Sequence, residues 1–477
     1  MNSNEHTAIL AVDLGSTRLK AAWVGPDGRL GPVAHTESPI RSSARRAEAI
    51  WKGVTALIGD LLRSPEAPDR ILAVALTGVT RSHVFLDKDG SVLGPVVFWD
   101  DPYGEDRATE VAAAYRSPDD TTGYGAFHPL ARLAQFRLDC GKAPAAMVEL
   151  KDWLNFRLTG RLATDSVAHG RIQSGMANAP SATQVLAQLE FPASVIPPPM
   201  APHARLGTVL TLDDRRLRKL AGVPVATSSF DSWCSTLGMG AVVDGGVYDI
   251  SGTTEVMGLL GSEPRTVPGM VCMPWTPALW HTGGPCQTGL GTLAWFARAF
   301  LDRDDPAATL EAAQAAPSQD PPVCLPYPSG ERMPWWNANL SASFHSVRTH
   351  HTRSDLARAV VEGLALAHRL ALDKAGAFDA GTIIRMGGGG TSLPHWCQTR
   401  ADAFGVPIAL GANPESALVG AALAAGVAVG YHSDLSATQD AVNQHNVLIH
   451  PDPGRMRYFD SRAATFAMLL DQTLAST

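Results

Sequence analysis

Two aspartates stand where a carboxylate can do chemistry. Asp231 lies in the stretch VPVATSSFDSWCSTLGMG (223–240), where an apolar run leads through a small polar turn into the start of a helix. A carboxylate there has an ordinary reading, because the first N–H groups of a helix lack partners and Asp supplies them. Ser228 or Ser229 could cap instead, which leaves Asp231 free to point into a cleft. Asp13 ends the apolar stretch TAILAVD (7–13). It is placed either to cap a turn or to hold Mg2+ through water, since Mg2+ keeps most of its waters and takes few carboxylates.

Loops of small residues surround this chemistry. LGSTR (14–18) joins two strand-like stretches, and DISGTT (249–254) echoes it at an offset of 237, close to half the chain. Small-residue loops leave backbone N–H groups bare, and a concave run of them binds anions. Two lobes of related topology, each presenting such a loop, would pinch a polyphosphate. Arg18 and Lys20 flank the first loop, where a cation could offset phosphate charge; the plainer reading of Lys20 is a solvated strand residue. The run MGGGGT (386–391) follows a buried strand. Four glycines lose much entropy on folding, so a flat ligand lying on them, adenine or ribose, competes with a flexible loop. The helix expected over 394–404 favours an ordered strand–loop–helix edge. Neither GxxxxGK[ST] nor GxGxxG with its acidic partner occurs, which disfavours P-loop and Rossmann folds. Phosphoryl transfer needs positioned phosphates, a metal and a base, and Asp231 then has a role as the base.

The elements that must position these groups follow from periodicity and punctuation. A helix is expected over 45–63, with Ala47, Ile50, Val54, Leu57, Ile58, Leu61 and Leu62 on one face. Strands are expected over 7–13, 19–24, 71–76, 206–210, 223–227 and 382–386, and a strand–loop–strand over 245–260. Residues 84–86 and 96–99 read as a hairpin. Helices are expected over 105–115, 130–138, 145–158, 288–300, 354–375 (capped by Ser354-Asp355) and 415–430. The proline-dense 192–202 is irregular but does not separate domains.

The totals bound the class. A chain of 477 residues is too long for one core, and the expected division is 1–240 and 241–477. Hydrophobic residues at 45% and charged residues at 18% suit an ordinary globular protein. A net charge of −7 argues against a nucleic-acid binder. No apolar run reaches the ~20 residues of a membrane span, and the amino terminus lacks the pattern of a signal peptide. The six cysteines are scattered without a CxxC pair, which fits a reduced cytoplasm.

Taken together, the motifs resemble those of the FGGY carbohydrate kinases, ATP-dependent sugar and polyol kinases of the actin-like ATPase superfamily, over nearly the whole chain. DLGSTRLK (13–20) is similar to the family's first phosphate loop, 251–254 to its second, 77–101 to its substrate segment, and Phe230-Asp231-Ser232 to its catalytic aspartate at a helix start. LPYPSGERMP (325–334) resembles a specific family stretch, and 387–390 the adenosine motif, with Asn413 and 416–422 on the far side of the base pocket. The resemblance implies an α/β fold of two actin-like (ribonuclease H-like) ATPase lobes, mixed sheets with flanking helices and an active site in the interlobe cleft. The first lobe would bind sugar and the second nucleotide. By position, Asp231 is the general base and Asp13 the metal-linked carboxylate. Gly15, Ser16, Thr17, Arg18, Gly252, Thr253, Thr254, Gly387, Gly388, Gly389, Gly390 and Asn413 would contact ATP. Thr80, Arg81, Trp99, Asp100, Phe230 and Asp231 would face the sugar.

The substrate segment departs from the family. Xylulokinase-like members carry Gln-Met-His and glycerol kinases Gln-Arg-Glu where this chain has Val79-Thr80-Arg81, and Tyr103 stands where an Arg is usual. Arg81 suits a carboxylate or hydroxyls, or a structural salt bridge. His83 reads as a packing or rim residue, and Trp335-Trp336 as cleft wall or plain packing. The expected activity is Mg2+- and ATP-dependent phosphorylation of a primary hydroxyl on a small sugar, first of all a pentulose such as xylulose. The alternatives are another polyol or sugar acid (glycerol, erythritol, gluconate, ribulose), or a non-catalytic ATP- or sugar-binding sensor. The partner is a small sugar or polyol, with no nucleic acid and no membrane. The resemblance allows a homodimer, which no stretch of the sequence marks.

Overall fold

The computed structural model describes residues 6–39, 46–115, 125–170, 172, 181–411, 413–444 and 446–476. Two compact units emerge: Met1–Gly240 with Glu415–Val442, and Ala241–Pro414 with Asn443–Thr477. The division expected from the sequence puts 415–442 in the second lobe. In the structure this segment returns to the first unit, because the helix Ser416–Ala428 is apolar on every side and finds its burial there.

In the first unit a sheet runs in the order Leu30–Glu37, Arg18–Val24, Thr7–Leu14, Arg70–Gly78, Pro224–Ala226, Arg205–Thr208. The first three strands are antiparallel to one another, the middle pairs are parallel, and the last strand is antiparallel again. Thr7–Leu14 is buried on both faces, which explains its unbroken apolar run. Ala8, Leu10, Val12 and Leu14 pack with the helix Ala47–Leu61 in one core. Ile9 faces the other way, toward Gly426 of the helix Ser416–Ala428. With a side-chain period of two, Asp13 shares the face of Ile9.

The second unit repeats the plan. Its sheet runs Val271–Pro274, Trp280–Pro285, Glu255–Gly261, Gly246–Ser251, Ile384–Gly387, Ile408–Leu410, Val447–Ile449. From Trp280–Pro285 onward the senses of pairing match the first sheet strand for strand. The echo between 13–17 and 249–254 is therefore a duplicated hairpin at the same place in each sheet. The long helix Arg353–Ala375 and the helix Pro394–Phe404 cover one face around a core that includes Val360, Leu364, Trp396 and Phe404.

Three local expectations change. Residues 145–158 are not one helix: Ala146–Glu149 is a strand, and the helix is Leu150–Thr159. That strand, and not 96–99, is the main partner of His83–Leu86; Val97 joins only through a bridge to His83. The long helix is capped by Thr352, whose hydroxyl accepts from the Asp355 N–H while Asp355 accepts in return, so Ser354 is not the cap. No described helix is long and apolar enough to cross a membrane.

Candidate active site

Asp231 opens the helix Asp231–Gly238 as its first residue, with Phe230 at the N-cap making no side-chain cap. Neither serine caps. The Asp231 Oδ1 accepts the N–H of Ser232 at 2.6 Å, so a partial capping role survives beside any catalytic one. Ser228 and Ser229 instead shape the turn. Ser228 sits at φ 57°, a left-handed conformation that costs a non-glycine residue energy, and its N–H is held by the Pro202 carbonyl at 2.8 Å. The Ser229 carbonyl accepts the Thr77 hydroxyl at 2.8 Å, and the Ser229 hydroxyl donates to Asp165 Oδ1 at 2.8 Å.

The small residues after Asp231 have a packing reason. A Cβ on Gly238 would lie 2.0 Å from the Ser416 carbonyl oxygen. The helices Asp231–Gly238 and Ser416–Ala428 thus meet backbone to backbone. Ser416 and its neighbours, expected beside the base pocket, are buried in this packing inside the first unit.

Asp13 lies within electrostatic reach of the same place. Its carboxyl is pushed up to about 7, first by burial and then by the charge of Asp231, with Glu415 adding and Lys20 opposing. Asp13 Oδ1 is buried and has no hydrogen-bond partner. An orphaned buried carboxylate oxygen beside a second carboxylate is a poor arrangement without a cation and a good one with it, so the residues fit a divalent ion. Among the described residues no group of three or more His, Cys, Asp or Glu could hold a metal. Lys20 is half-buried, and its ammonium pairs with Glu415 at 2.6 Å. The loop itself is tight, since a Cβ on Gly15 would approach the Arg18 carbonyl to 2.6 Å, while Ser16 is half-buried and Thr17 and Arg18 are exposed.

In the second unit the structure brings the other two loops together. Cβ atoms on Gly388 and Gly390 would strike the Ser251 carbonyl and hydroxyl oxygens at 2.4 and 2.1 Å. Those on Gly289 and Gly291 would strike the Thr253 carbonyl at 2.9 and 2.8 Å. The glycine run is thus ordered by packing against 251–254, and only Gly388 among its four needs positive φ (80°). Gly252 and Thr254 are half-buried, Thr253 and Gly389 exposed, Gly387 and Gly390 buried; Asn413 is half-buried in the loop ahead of Ser416. Beneath lies a buried charged cluster. Arg400 pairs with Asp249 and, at 3.5 Å, with Glu255; Ser251 donates to Glu255 at 2.9 Å, and the Trp396 indole N–H donates to Ser251 at 3.0 Å. Asp249 is therefore no counterpart of Asp13 in function, because a guanidinium neutralises it. Glu331, from the stretch 325–334, accepts the Gln287 N–H and the Thr288 hydroxyl, fixing the approach to Gly289.

The segment 77–101, expected to face the substrate, is organised by a residue that sequence reasoning missed. Arg132, fully buried, donates to the carbonyls of Arg81, Phe98 (2.8 Å), Trp99 (3.2 Å) and Asp101 (2.7 Å). One guanidinium so binds both halves of the segment, and burial lowers its pKa to about 10, which leaves it charged at neutral pH. Its signal was present: an Arg at the third position from the Pro that opens an apolar helix. Arg81 has φ 54°, and Glu149 receives the Arg81 and Ser82 N–H groups at 3.1 Å each. Thr80 and Trp99 are half-buried and Asp100 is exposed, whereas Phe230 is buried. His83 is a packing residue, buried with Nδ1 3.3 Å from Arg132 and kept neutral by burial and the arginines. Tyr103 donates to Asp139 at 2.6 Å. Trp335 packs on the second core, and the Trp336 indole donates to Gly269 at 2.7 Å, so both serve packing.

The chain matches known proteins along nearly its whole length. The family model described as "FGGY family of carbohydrate kinases, N-terminal domain" matches residues 8–238, and its C-terminal counterpart matches 247–429. The chain is 22% identical to xylulose kinase of Staphylococcus epidermidis over 487 residues, covering 98% of this chain and 97% of that one. Among solved structures, xylulose kinase and gluconate kinase, both from Lactobacillus acidophilus, each superpose with a TM-score of 0.85 at 22% identity. The superpositions cover 98% and 99% of this chain respectively and 99% of each of those chains.

Proposed function

From the premise that this chain belongs to the FGGY family of carbohydrate kinases, and is thereby an ATP-dependent sugar kinase, we propose that it phosphorylates a primary hydroxyl of a pentulose, xylulose first. Xylulose kinases recur among its relatives and structural neighbours along nearly the whole chain, which supports this sugar over the rest. Asp231 is the general base. Its carboxylate takes the proton of the attacking hydroxyl as the oxygen bonds to the γ-phosphorus and ADP leaves, a step in which positioning matters more than covalent chemistry. Asp13 would hold Mg2+ through water, which would supply positive charge to the phosphates. The loops 15–18 and 252–254 offer N–H groups to the phosphates, and 387–390 with Asn413 the nucleoside. Thr80, Arg81, Trp99, Asp100 and Phe230 orient the sugar. The carrying observation is Asp13: a buried carboxyl with an unpartnered oxygen, opposed by the charge of Asp231.

Gluconate is the second candidate, because Arg81 replaces the residue of xylulokinase-like chains and a gluconate kinase matches equally well in fold. ADP release over D-xylulose, L-xylulose, ribulose, L-fuculose, gluconate, erythritol and glycerol decides between them. Turnover should be highest with a xylulose and vanish in Asp231→Asn while ATP still binds. Preference for gluconate would replace the pentulose, and full activity of the variant would remove the base. Tight ligand binding without turnover would leave a sensor.

A further inference from the structure

Behind Asp231 lies a buried ionic chain that the reaction does not touch. Lys151 is almost wholly buried and bridges two carboxylates, Asp152 Oδ1 at 2.5 Å and Asp165 Oδ2 at 2.9 Å. Those two charges hold its ammonium protonated against the opposing effect of burial. The other oxygen of Asp165 is fully committed. It accepts the Val167 and Ala168 N–H groups at 3.0 and 2.9 Å and the Ser229 hydroxyl at 2.8 Å. Asp165 belongs to a short strand pair, opposite Met200, and so is fixed from both sides along the chain. Ser229 is two residues before Asp231.

We propose that Lys151, acting through Asp165 and Ser229, is a positioning residue that aims the Asp231 carboxylate; this rests on the reading of Asp231 as the base. The argument is one of restraint. The turn before Asp231 contains a left-handed Ser228 and an N-cap with no capping side chain, and the local contacts of Cys234 Sγ with the Ser228 hydroxyl and the Ser229 carbonyl are long, at 3.5 Å each, so its shape depends on groups from elsewhere in the chain. Strained backbone persists only where the surroundings over-determine it. Here they do: Asn155 donates to the Thr227 carbonyl at 3.1 Å, Thr77 to the Ser229 carbonyl, and Asp165 takes the Ser229 hydroxyl. Of these only the Asp165 link leads to a charge buried away from the site. A buried ion pair is seldom retained for stability, since an apolar replacement of similar volume often serves as well. Aiming a catalytic group within a fraction of an ångström is a purpose that an apolar replacement would not serve.

The test uses the full chain. Ser229→Ala removes one hydroxyl and leaves the Lys151 pair intact, so it folds where Lys151→Met, made alongside, could fail. Amide hydrogen exchange across 228–234 is measured without ligand, and ADP release with D-xylulose and with no sugar added. Exchange in that segment should quicken about tenfold in Ser229→Ala and stay unchanged elsewhere. The kcat for whichever acceptor is turned over should fall at least tenfold, with KM for ATP moving less than twofold. Unchanged exchange across 228–234 overturns the proposal whatever the activity, as does a loss carried by KM for ATP. Asp231→Asn separates the two readings. If it is inactive while Ser229→Ala turns over normally, only the positioning role fails; if it is active, the base itself fails.

Discussion

A Cβ on Gly420 would stand 1.7 Å from the carbonyl oxygen of Cys234, closer than any packing allows. The helix that Asp231 opens is therefore seated against Ser416–Ala428 at a distance only glycine permits. Gly420→Ala should push the two helices apart, at a cost of about 1–3 kcal/mol, and lower kcat tenfold or more by displacing Asp231. Urea unfolding and ADP release check it. A variant with wild-type kcat would separate this packing from catalysis.

The Asp13 carboxyl predicts a pH dependence with a definite sign. Its folded pKa is about 7 against an ordinary 3.8. Stability from the protonated carboxyl is fully present below the ordinary value and is lost as pH rises through 7. Asp13→Asn cannot lose it. In EDTA, urea unfolding at pH 5 and pH 8 should show the wild type losing on the order of 2–4 kcal/mol relative to the variant over that interval. In the wild type, affinity for Mg2+-ATP should rise over the same interval. Parallel stability curves would mean that the carboxyl is ionised at pH 5 and needs no cation.

Much of this site was legible because its signals are local. Glycines 15 and 387–390, the small residues after Asp231 and the doubled hairpin motif each mark a place where the backbone turns tightly or comes close to something. What lay beyond reach was long-range pairing. Nothing around Lys20 shows that it pairs with a residue 395 positions away. Helix and strand cannot be told apart by periodicity in 145–158, where four residues of strand run straight into the helix Leu150–Thr159. Position along the chain groups 415–442 with the second half, whereas its packing lies in the first unit. The buried cations Arg132, Lys151 and Arg400 were passed over for a related reason: a charge reads as solvated until its partners, far off in sequence, are known.

Arg132 should govern sugar and not nucleotide. Arg132→Met leaves four backbone carbonyls of the substrate segment without their donor. A buried acceptor left without its donor costs about 1–3 kcal/mol, and the segment should loosen before the rest of the unit. Sugar KM is expected to rise tenfold or more, with KM for ATP changing less than threefold. Equal changes in the two constants would show general unfolding and not a local role.

The second unit offers the complementary case. Arg400 donates to His368 Nδ1 at 2.6 Å, so the imidazole, held neutral by burial and by Arg400, carries its proton on Nε2 and meets Thr288 at 3.2 Å. Thr288 in turn donates to Glu331 at 2.6 Å. On the other side Arg400 pairs with Asp249 and lies 3.5 Å from Glu255, whose carboxyl is pushed well above its usual range by burial and the charge of Asp249, and Glu255 holds Ser251, against which Gly388 and Gly390 pack. One cation thus supports both loops proposed for ATP. Arg400→Met would strand two carboxylates in the interior and is expected to unfold the unit. Trp396→Phe is milder, removing only the 3.0 Å indole bond to Ser251. That bond is worth about 1 kcal/mol, so KM for ATP should rise about fivefold while sugar KM and kcat hold. Steady-state kinetics with each substrate varied in turn checks it, and a rise in sugar KM instead would place Ser251 outside the nucleotide site.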